Sequence, residues 1–243
     1  MQFTTDNIFR LPELNGVYVF KDQKRTILYI GKAVNLKKRV SSYFQKKNLA
    51  QKIINLVERV VNIEIIPVTT ELEALLLEAK LIKLHKPKYN VIWKDDKHYI
   101  YIKITNDTFP RILFTRREEE RNGTYFGPFP SARIVSELLK YLRFLFPYCT
   151  QNPKVKRSCF YTHLRLCNPC PADIIKMPAS QYLTCKRIYL ANVRQIKWLL
   201  TGRINFVKNY LQKQMQHFSQ REDFEKAAAF RDKLKKLEYL LNS

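Results

Sequence analysis

Hydrophobic and polar positions alternate in two short runs near the start of the chain, Val17 to Phe20 and Ile27 to Ile30, either side of the polar stretch Asp22 to Arg25. The pattern predicts a β-hairpin. With the turn centred on Gln23 and Lys24, paired positions sum to 47 and Tyr18 falls opposite Tyr29. Partners on one face have Cβ atoms about 5 Å apart, so two phenols stand side by side. The second strand ends at Gly31, where backbone can pass close to a ligand, and Lys32 follows at once. Asn35 is a good N-cap for a helix Leu36 to Phe44, which carries Arg39 and Tyr43 on one face. Apolar residues at 53, 54, 57, 60 and 61 predict an amphipathic helix over 49–61, and Ile63 to Val68 reads as a third strand. Thr70 and Glu73 make a capping-box pattern for a helix Glu71 to Leu84, whose buried stripe is Leu72, Leu75, Leu76, Ala79 and Ile82. Glu78 lies about 110° from the centre of that stripe at 100° per residue, at the edge of the core.

Further along, Tyr99 to Ile104 alternates strictly, Arg111 to Thr115 is a second strand candidate, Arg116 to Asn122 a charged loop and Tyr125 to Pro130 a turn. A helix begins near Ser131 and runs to about Phe146, with apolar residues at 134, 135, 138, 139, 142 and 145. From Lys186 the pattern is helical: Ile188 to Leu200, an interruption at Gly202, then a helix carrying Ile204, Val207, Leu211, Met215 and Phe218. A last helix carries Phe224, Ala227, Ala228, Leu234, Leu237 and Leu241, with Glu222–Lys226 and Asp232–Lys236 as i,i+4 pairs. The fold class expected is α+β in four parts. Residues 1–95 form a small α/β domain with a short mixed sheet, 96–148 a second small α/β module, 149–185 a Cys-rich metal loop, and 186–243 a helical region ending in a hairpin over about 203–241.

Composition narrows the partner. With 44 Lys and Arg against 21 Asp and Glu the formal charge is +23, a strong field for a polyanion, and DNA or RNA is the first expectation. At 46% hydrophobic the chain can bury a sizeable core. The N-terminus lacks a charged leader followed by an apolar segment, and no run is long enough to span a bilayer, so no membrane partner and a cytoplasmic location are expected. Tyr18, Tyr29, Lys32 and Arg39 converge beside a strand end as a polar surface suited to a phosphodiester. Four cysteines, Cys149, Cys159, Cys167 and Cys170, fall within 22 residues in a proline-rich loop. A Cys-x2-Cys pair with two upstream thiols points to metal before disulfide, and spacing alone does not separate zinc from an iron–sulfur cluster. His163 is near enough to be a ligand but reads as a surface side chain, and Cys185 lies outside the set.

Gly16-Val17-Tyr18 followed by Tyr29-Ile30-Gly31 resembles the paired signature of the GIY-YIG nucleases. The surrounding LPELNGVYVF, LYIGKAVNLKKRVSSYF and ALLLEAKLIKLHKPKYNV are similar more narrowly to the N-terminal nuclease domain of the UvrC family, over roughly residues 9 to 95. FPRILFTRR and YFGPFPSA also resemble UvrC just after that domain, and DFEKAAAFRDKLKKLE resembles the UVR motif shared by UvrB and UvrC. The resemblance implies that Glu78 is the ligand of a single divalent cation, Mg²⁺ or Mn²⁺, and that Tyr29 is the general base for the attacking water. Lys32 is then the cation expected to lower its pKa. It implies further that Arg39 binds the scissile phosphate as a fork, that Tyr18 completes the pocket, and that Gly31, Tyr43 and Asn90 contact or position substrate, water and backbone. Lys80 departs from the family, whose close members tend to have asparagine two residues after the glutamate.

For the cysteines the resemblance implies a [4Fe-4S] cluster, with zinc as the alternative; here the last two are separated by two residues where the family usually has three. For the hairpin it implies pairing with a UvrB-like partner through Phe224, Ala227, Ala228, Arg231 and Leu234, with UvrA involved indirectly. The function expected is a metal-dependent DNA endonuclease of nucleotide excision repair, making the incision 3′ to a lesion. The alternative is a catalytically silent adaptor that binds DNA and UvrB, against which the complete set Tyr18, Tyr29, Lys32, Arg39 and Glu78 argues. A stand-alone homing or restriction nuclease would leave the hairpin without a purpose. The resemblance stops where full-length UvrC continues into a second nuclease domain and a helix-hairpin-helix tail.

Overall fold

The computed structural model describes residues 11–45, 50–92, 99–119, 122–152, 155 and 157–242. The expected boundary at 95/96, positions 120 and 121 of the charged loop, and the start of the helix expected from 49 lie outside them. The chain divides into two units, with the break between Tyr99 and Ile100.

The first unit is built on three strands, β1 (Gly16–Lys21), β2 (Ile27–Ala33) and β3 (Asn62–Pro67), in the order β2-β1-β3. Both neighbours of β1 run antiparallel to it, so the mixed sheet expected from the sequence is an antiparallel one. The hairpin register also differs. Tyr18 pairs with Gly31 and Phe20 with Tyr29, so partners sum to 49, not 47. The cause is the turn: Asp22 Oδ1 accepts from the backbone of both Lys24 and Thr26 at 2.9 Å, and Arg25 sits at φ +62. A left-handed residue after the turn adds one position to the loop and a bulge at Phe20/Lys21. Because the shift moves the partner by two, Tyr18 and Tyr29 keep one face and become diagonal neighbours, with ring centroids 6.0 Å apart.

One face of the sheet carries Tyr18, Phe20, Leu28, Leu36, Val40, Tyr43, Leu56 and Ile63 in a single cluster; the other carries Val17, Val19, Ile30, Ala74 and Ile82. Helix α1 (Leu36–Gln45) starts as its sequence predicts, with Lys38 N–H donating to Asn35 Oδ1 at 2.9 Å. Helix α2 covers only Gln51–Val57, and Leu56, outside the predicted stripe, is its fully buried residue. Val61 N–H already bonds to Lys21 O, so the chain has turned toward β3 by then. Helix α3 (Glu71–His85) has the full capping box, in which Thr70 and Glu73 satisfy each other's backbone, and all five predicted stripe residues are buried together with Ala74. A short helix α4 (Lys88–Ile92) follows.

The second unit opens with β4 (Ile100–Thr105), β5 (Ile112–Thr115) and β6 (Gly123–Phe129), antiparallel in the order β5-β4-β6. β6 replaces the expected turn at Tyr125–Pro130; its two glycines and the Pro128 imide concealed a strand whose last five residues are buried. Helix α5 (Ala132–Leu145) begins where the sequence places it, is capped by Ser131 and packs on β4 and β6. Two single-turn helices, α6 (Phe160–His163) and α7 (Pro171–Ile174), lie within the cysteine segment. Helix α8 (Ala179–Leu200) begins nine residues before the sequence pattern suggested. Gly202, at φ +78, ends it. Helices α9 (Ile204–Gln220) and α10 (Phe224–Asn242) form the hairpin. Glu222 sits in the turn at φ +57, so the Glu222–Lys226 pair does not form; Lys226 instead pairs with Asp223, and Asp232 with Arg231. No helix among the described residues is long and apolar enough to cross a membrane.

Candidate active site and cysteine centre

The β1–β2 register fixes the site. Gly31 stands directly opposite Tyr18, and a Cβ built on it would lie 2.4 Å from the Tyr18 hydroxyl. Gly31 is therefore needed for the Tyr18 ring to lie across the hairpin. Where the sequence suggests close approach to a ligand, an internal side chain fills that space instead. Tyr18 is fully buried, and its hydroxyl is 2.9 Å from that of Tyr43 on α1. One turn earlier on α1, Arg39 Nε donates to the same Tyr18 oxygen at 3.4 Å, and its guanidinium sits 5.3 Å from the Tyr43 ring centre. Tyr29, Tyr43 and Tyr18 have pairwise ring distances of 5.9 to 6.2 Å. Three phenols and one guanidinium thus share one patch along the face of α1 that carries Arg39 and Tyr43.

Lys32 and Glu78 meet through backbone. Lys32 N–H donates to Glu78 Oε1 at 2.9 Å, which fixes the orientation of the carboxylate. The Lys32 ammonium turns the other way, to Glu71 Oε1 at 2.6 Å. Glu71 is two helical turns before Glu78 on α3 and was not singled out in the sequence, where it looks like one of two acids in a first turn. Asn90 is buried, and its amide brackets one residue of β2: Ile30 N–H donates to Oδ1 at 2.9 Å and Nδ2 donates to Ile30 O at 2.8 Å. Tyr99 in turn donates to Asn90 O at 2.9 Å. Asn90 thus holds the backbone of β2. Lys80 is exposed on α3.

The Tyr29 phenol is held well above its ordinary pKa, chiefly by burial, then by Tyr43 and the Glu78 carboxylate. The cation that pulls it down most is Arg39, whereas the Lys32 ammonium is paired with Glu71. Burial likewise raises Tyr18, reinforced by Tyr29 and Tyr43. Glu78 is a half-buried carboxylate at the edge of the core, a hard oxygen donor of the type Mg²⁺ and Mn²⁺ accept.

In the second unit the four cysteines come together. Cys149, Cys159, Cys167 and Cys170 are buried, and all four Sγ atoms lie within 4.8 Å of one another. Cys159 and Cys170 are the residues preceding α6 and α7, which brings thiols far apart in the loop to one point. Hydrogen bonds with Cys149 and Cys170, and burial, push the Cys167 thiol far up, while bonds from Cys149 and Cys167 hold Cys170 far down as thiolate. Four buried sulfurs at this spacing lose their protons together only if a cation replaces them, so the donor set suits a soft metal centre. The pocket is braced by Arg143, whose guanidinium lies 3.9 Å from the Tyr148 ring centre and 3.7 Å from that of Tyr161, and donates to Tyr148 O at 2.7 Å. Tyr189 on α8 donates to Pro110 O and accepts from Cys149 N–H. His163 is exposed and Cys185 stands apart from the set.

On the hairpin, Phe224 is 66% exposed, Arg231 is exposed, Ala228 and Leu234 are half-buried and Ala227 is buried. Phe224, Ala227, Ala228 and Arg231 line a hollow of about 750 Å³ closed on the α9 side by Met215. Leu234 lies outside it.

Three sequence families match the chain in order: the UvrC-like GIY-YIG domain over residues 14–91, the UvrC/Cho excinuclease middle domain over 99–177 and the UvrB/uvrC motif over 208–240. The UvrABC system protein C of Methanospirillum hungatei is 43% identical over 232 residues, covering 95% of this chain and 43% of that protein. That of Carboxydothermus hydrogenoformans is 39% identical over 242 residues, covering 97% and 38%. The chain thus spans about two fifths of the length of the curated relatives it matches. Among solved structures, the GIY-YIG N-terminal endonuclease domain of UvrC from Thermotoga maritima, bound to magnesium as its catalytic divalent cation, is 42% identical. It covers 35% of this chain and 93% of that one, with a TM-score of 0.33.

Replacing Gly31 by alanine tests the packing of the site. The added methyl meets the Tyr18 hydroxyl and ring, so the nuclease unit is expected to lose about 1–3 kcal/mol of stability. Pairing it with Tyr18→Phe, which shortens the ring by the clashing oxygen, should return part of the loss. Chemical denaturation of the single and double variants gives both values.

Proposed function

The chain belongs to the UvrC family and carries that family's GIY-YIG nuclease domain, middle domain and UVR motif, and on that premise we propose that it is a metal-dependent DNA endonuclease of nucleotide excision repair. The observation that carries this reading is the pinning of Glu78 Oε1 by Lys32 N–H beside a patch of Tyr18, Tyr29, Tyr43 and Arg39. A carboxylate at the edge of a core, oriented by a strand backbone and facing phenols and a guanidinium, is built to hold a cation next to a phosphodiester.

Within that site, Glu78 is the ligand of Mg²⁺ or Mn²⁺. A divalent cation bound there would compensate charge on the leaving oxygen and would turn Glu78's unfavourable effect on the Tyr29 phenolate into a favourable one. Tyr29 takes the proton of the attacking water, helped by Arg39. Arg39 forks onto the scissile phosphate. Tyr18 and Tyr43 complete the pocket, Gly31 leaves room for Tyr18, and Asn90 holds the strand. Lys32 fixes Glu78 through its amide and Glu71 through its ammonium.

The incision is 3′ to the lesion, on DNA in the cytoplasm presented by a UvrB-like partner that has received it from UvrA. The partner docks on the hollow of the hairpin, with exposed Phe224 as anchor, Ala227, Ala228 and Arg231 around it and Leu234 as a contact outside the hollow. Cys149, Cys159, Cys167 and Cys170 hold a metal centre, for which the family resemblance favours [4Fe-4S]. As they stand the sulfurs are spaced for a single ion, since a tetrahedral zinc bonded at about 2.3 Å separates its thiolates by about 3.8 Å. A cubane cluster requires them to spread.

Three outcomes follow. Glu78→Ala should abolish Mg²⁺-dependent cutting while leaving DNA affinity within a few-fold, since Lys and Arg contacts to phosphate supply most of it; undiminished cleavage would remove Glu78 from the site. Protein purified anaerobically should show broad visible absorbance with iron and acid-labile sulfide, whereas zinc alone on elemental analysis would make the centre structural zinc. Removing residues after about 200 should abolish UvrB-dependent incision of a lesion-bearing duplex and leave weak metal-dependent nicking, because docking raises local concentration toward millimolar. Equal lesion-specific cutting by the truncated protein would place the partner elsewhere.

A further inference from the structure

Three helices of the second unit each turn a stripe toward one cleft of about 900 Å³. Arg187 and Arg194 come from α8, Tyr210 and Phe218 from α9, and Lys226, Phe230 and Lys233 from α10, with Phe146 at the end of α5 among the walls. The residues on each stripe are three, four, seven or eight apart, the spacing of a single helix face. This is a different surface from the hollow lined by Phe224, Ala227 and Arg231.

Its chemistry is one-sided. Four of the lining side chains are cationic and none is acidic. Of the four, Lys226 reaches a carboxylate, Asp223 at 2.5 Å; no ion pair of Arg187, Arg194 or Lys233 is present among the described residues. Lys233 is the most constrained: its ammonium lies 5.3 Å from the Phe230 ring centre and 6.0 Å from that of Phe146, and burial lowers its pKa with no compensating anion. A cation stripped of water beside aromatic faces gains most from an anion that enters the cleft. Phe230 and Phe218 lie with ring centroids 5.6 Å apart and planes 12° from parallel, so their faces form one flat part of the wall. Arg187 and Arg194 are separated by roughly 10 Å of helix axis, too far to share one phosphate and suited to two along a strand.

We propose that this cleft binds the phosphodiester backbone of an unpaired DNA strand, with Arg187, Arg194 and Lys233 on its phosphates and the Tyr210 and Phe230 rings against sugars and bases. Cationic grooves walled by aromatics are how single strands are held without sequence preference. The cleft is far smaller than a duplex segment, and its rings can meet only bases freed from pairing. This is a strand-holding site additional to the nuclease patch and independent of any cation at Glu78.

The test uses the full chain and a fluorescein-labelled oligodeoxythymidylate in EDTA, so that no cutting is involved. The triple variant Arg187→Gln, Arg194→Gln, Lys233→Gln should bind at least about tenfold more weakly at low salt, and its log–log salt slope should fall by about 2, near 0.7 for each phosphate no longer neutralised. A control of equal charge on exposed positions of the same unit, Arg203→Gln, Lys213→Gln, Lys235→Gln, should change the slope by less than half as much. A 4-thiothymidine strand should photo-crosslink to peptides carrying Tyr210 or Phe230 in the unsubstituted chain. Equal losses in the two triples, with crosslinks only outside the cleft, would overturn the proposal. So would displacement by polyglutamate at equal charge with no crosslink at all, which would make the cleft a seat for an acidic protein segment. Circular dichroism on each variant separates weakened strand binding from unfolding.

Discussion

The Tyr18 ring lying across Gly31 is the contact on which the nuclease unit depends. It is possible only because the hairpin loop is one residue longer than the simplest turn and a bulge at Phe20/Lys21 adds a second step, which together set Tyr18 opposite a residue with no side chain. From there the Tyr18 hydroxyl reaches Tyr43 and Arg39, and so the strand pair dictates how α1 presents its face. The two glycine-tyrosine triplets of the sequence are in this sense one structural unit. The first supplies the ring and the second supplies the space it fills.

Much of this was legible in the chain. The cap residues Asn35 and Thr70, the helix start near Ser131, the stripe of α3 and the convergence of four cysteines each followed from local patterns whose physics is local. What was not legible came from long-range geometry or from turn detail. The hairpin register depended on Arg25 adopting a left-handed backbone, a conformation arginine rarely signals. The strand β6 was hidden by Gly127 and Pro128, which usually mark turns. Leu56 faced the core from a helix shorter than its apolar pattern. Glu71 gave no signal, because a first-turn acid is ordinarily a partner for the helix dipole. The identity of the site rested on the spelling of a family signature more than on any periodicity.

The two chemistries in the chain solve the burial of charge in opposite ways. In the first unit a carboxylate and a guanidinium are kept near phenols whose ionisation burial opposes, so a doubly charged ion or a polyanion arriving there would change the balance. In the second unit four thiols are enclosed by a proline-rich loop and braced by a guanidinium clamped between two rings. The first arrangement is suited to chemistry that turns over, the second to a centre that stays.

The bonds made by Asn90 and Glu78 have a consequence beyond substrate. β2 is the outer strand of its sheet, and both backbone groups of Ile30 together with the amide of Lys32 face away from β1. An amide side chain and a carboxylate stand in for the missing neighbour strand, so the residues that assemble the site also close an edge that could otherwise template another chain. Function and colloidal behaviour are therefore coupled at these positions. A variant that lacks either side chain uncovers part of a sticky border, so self-association belongs to its expected phenotype.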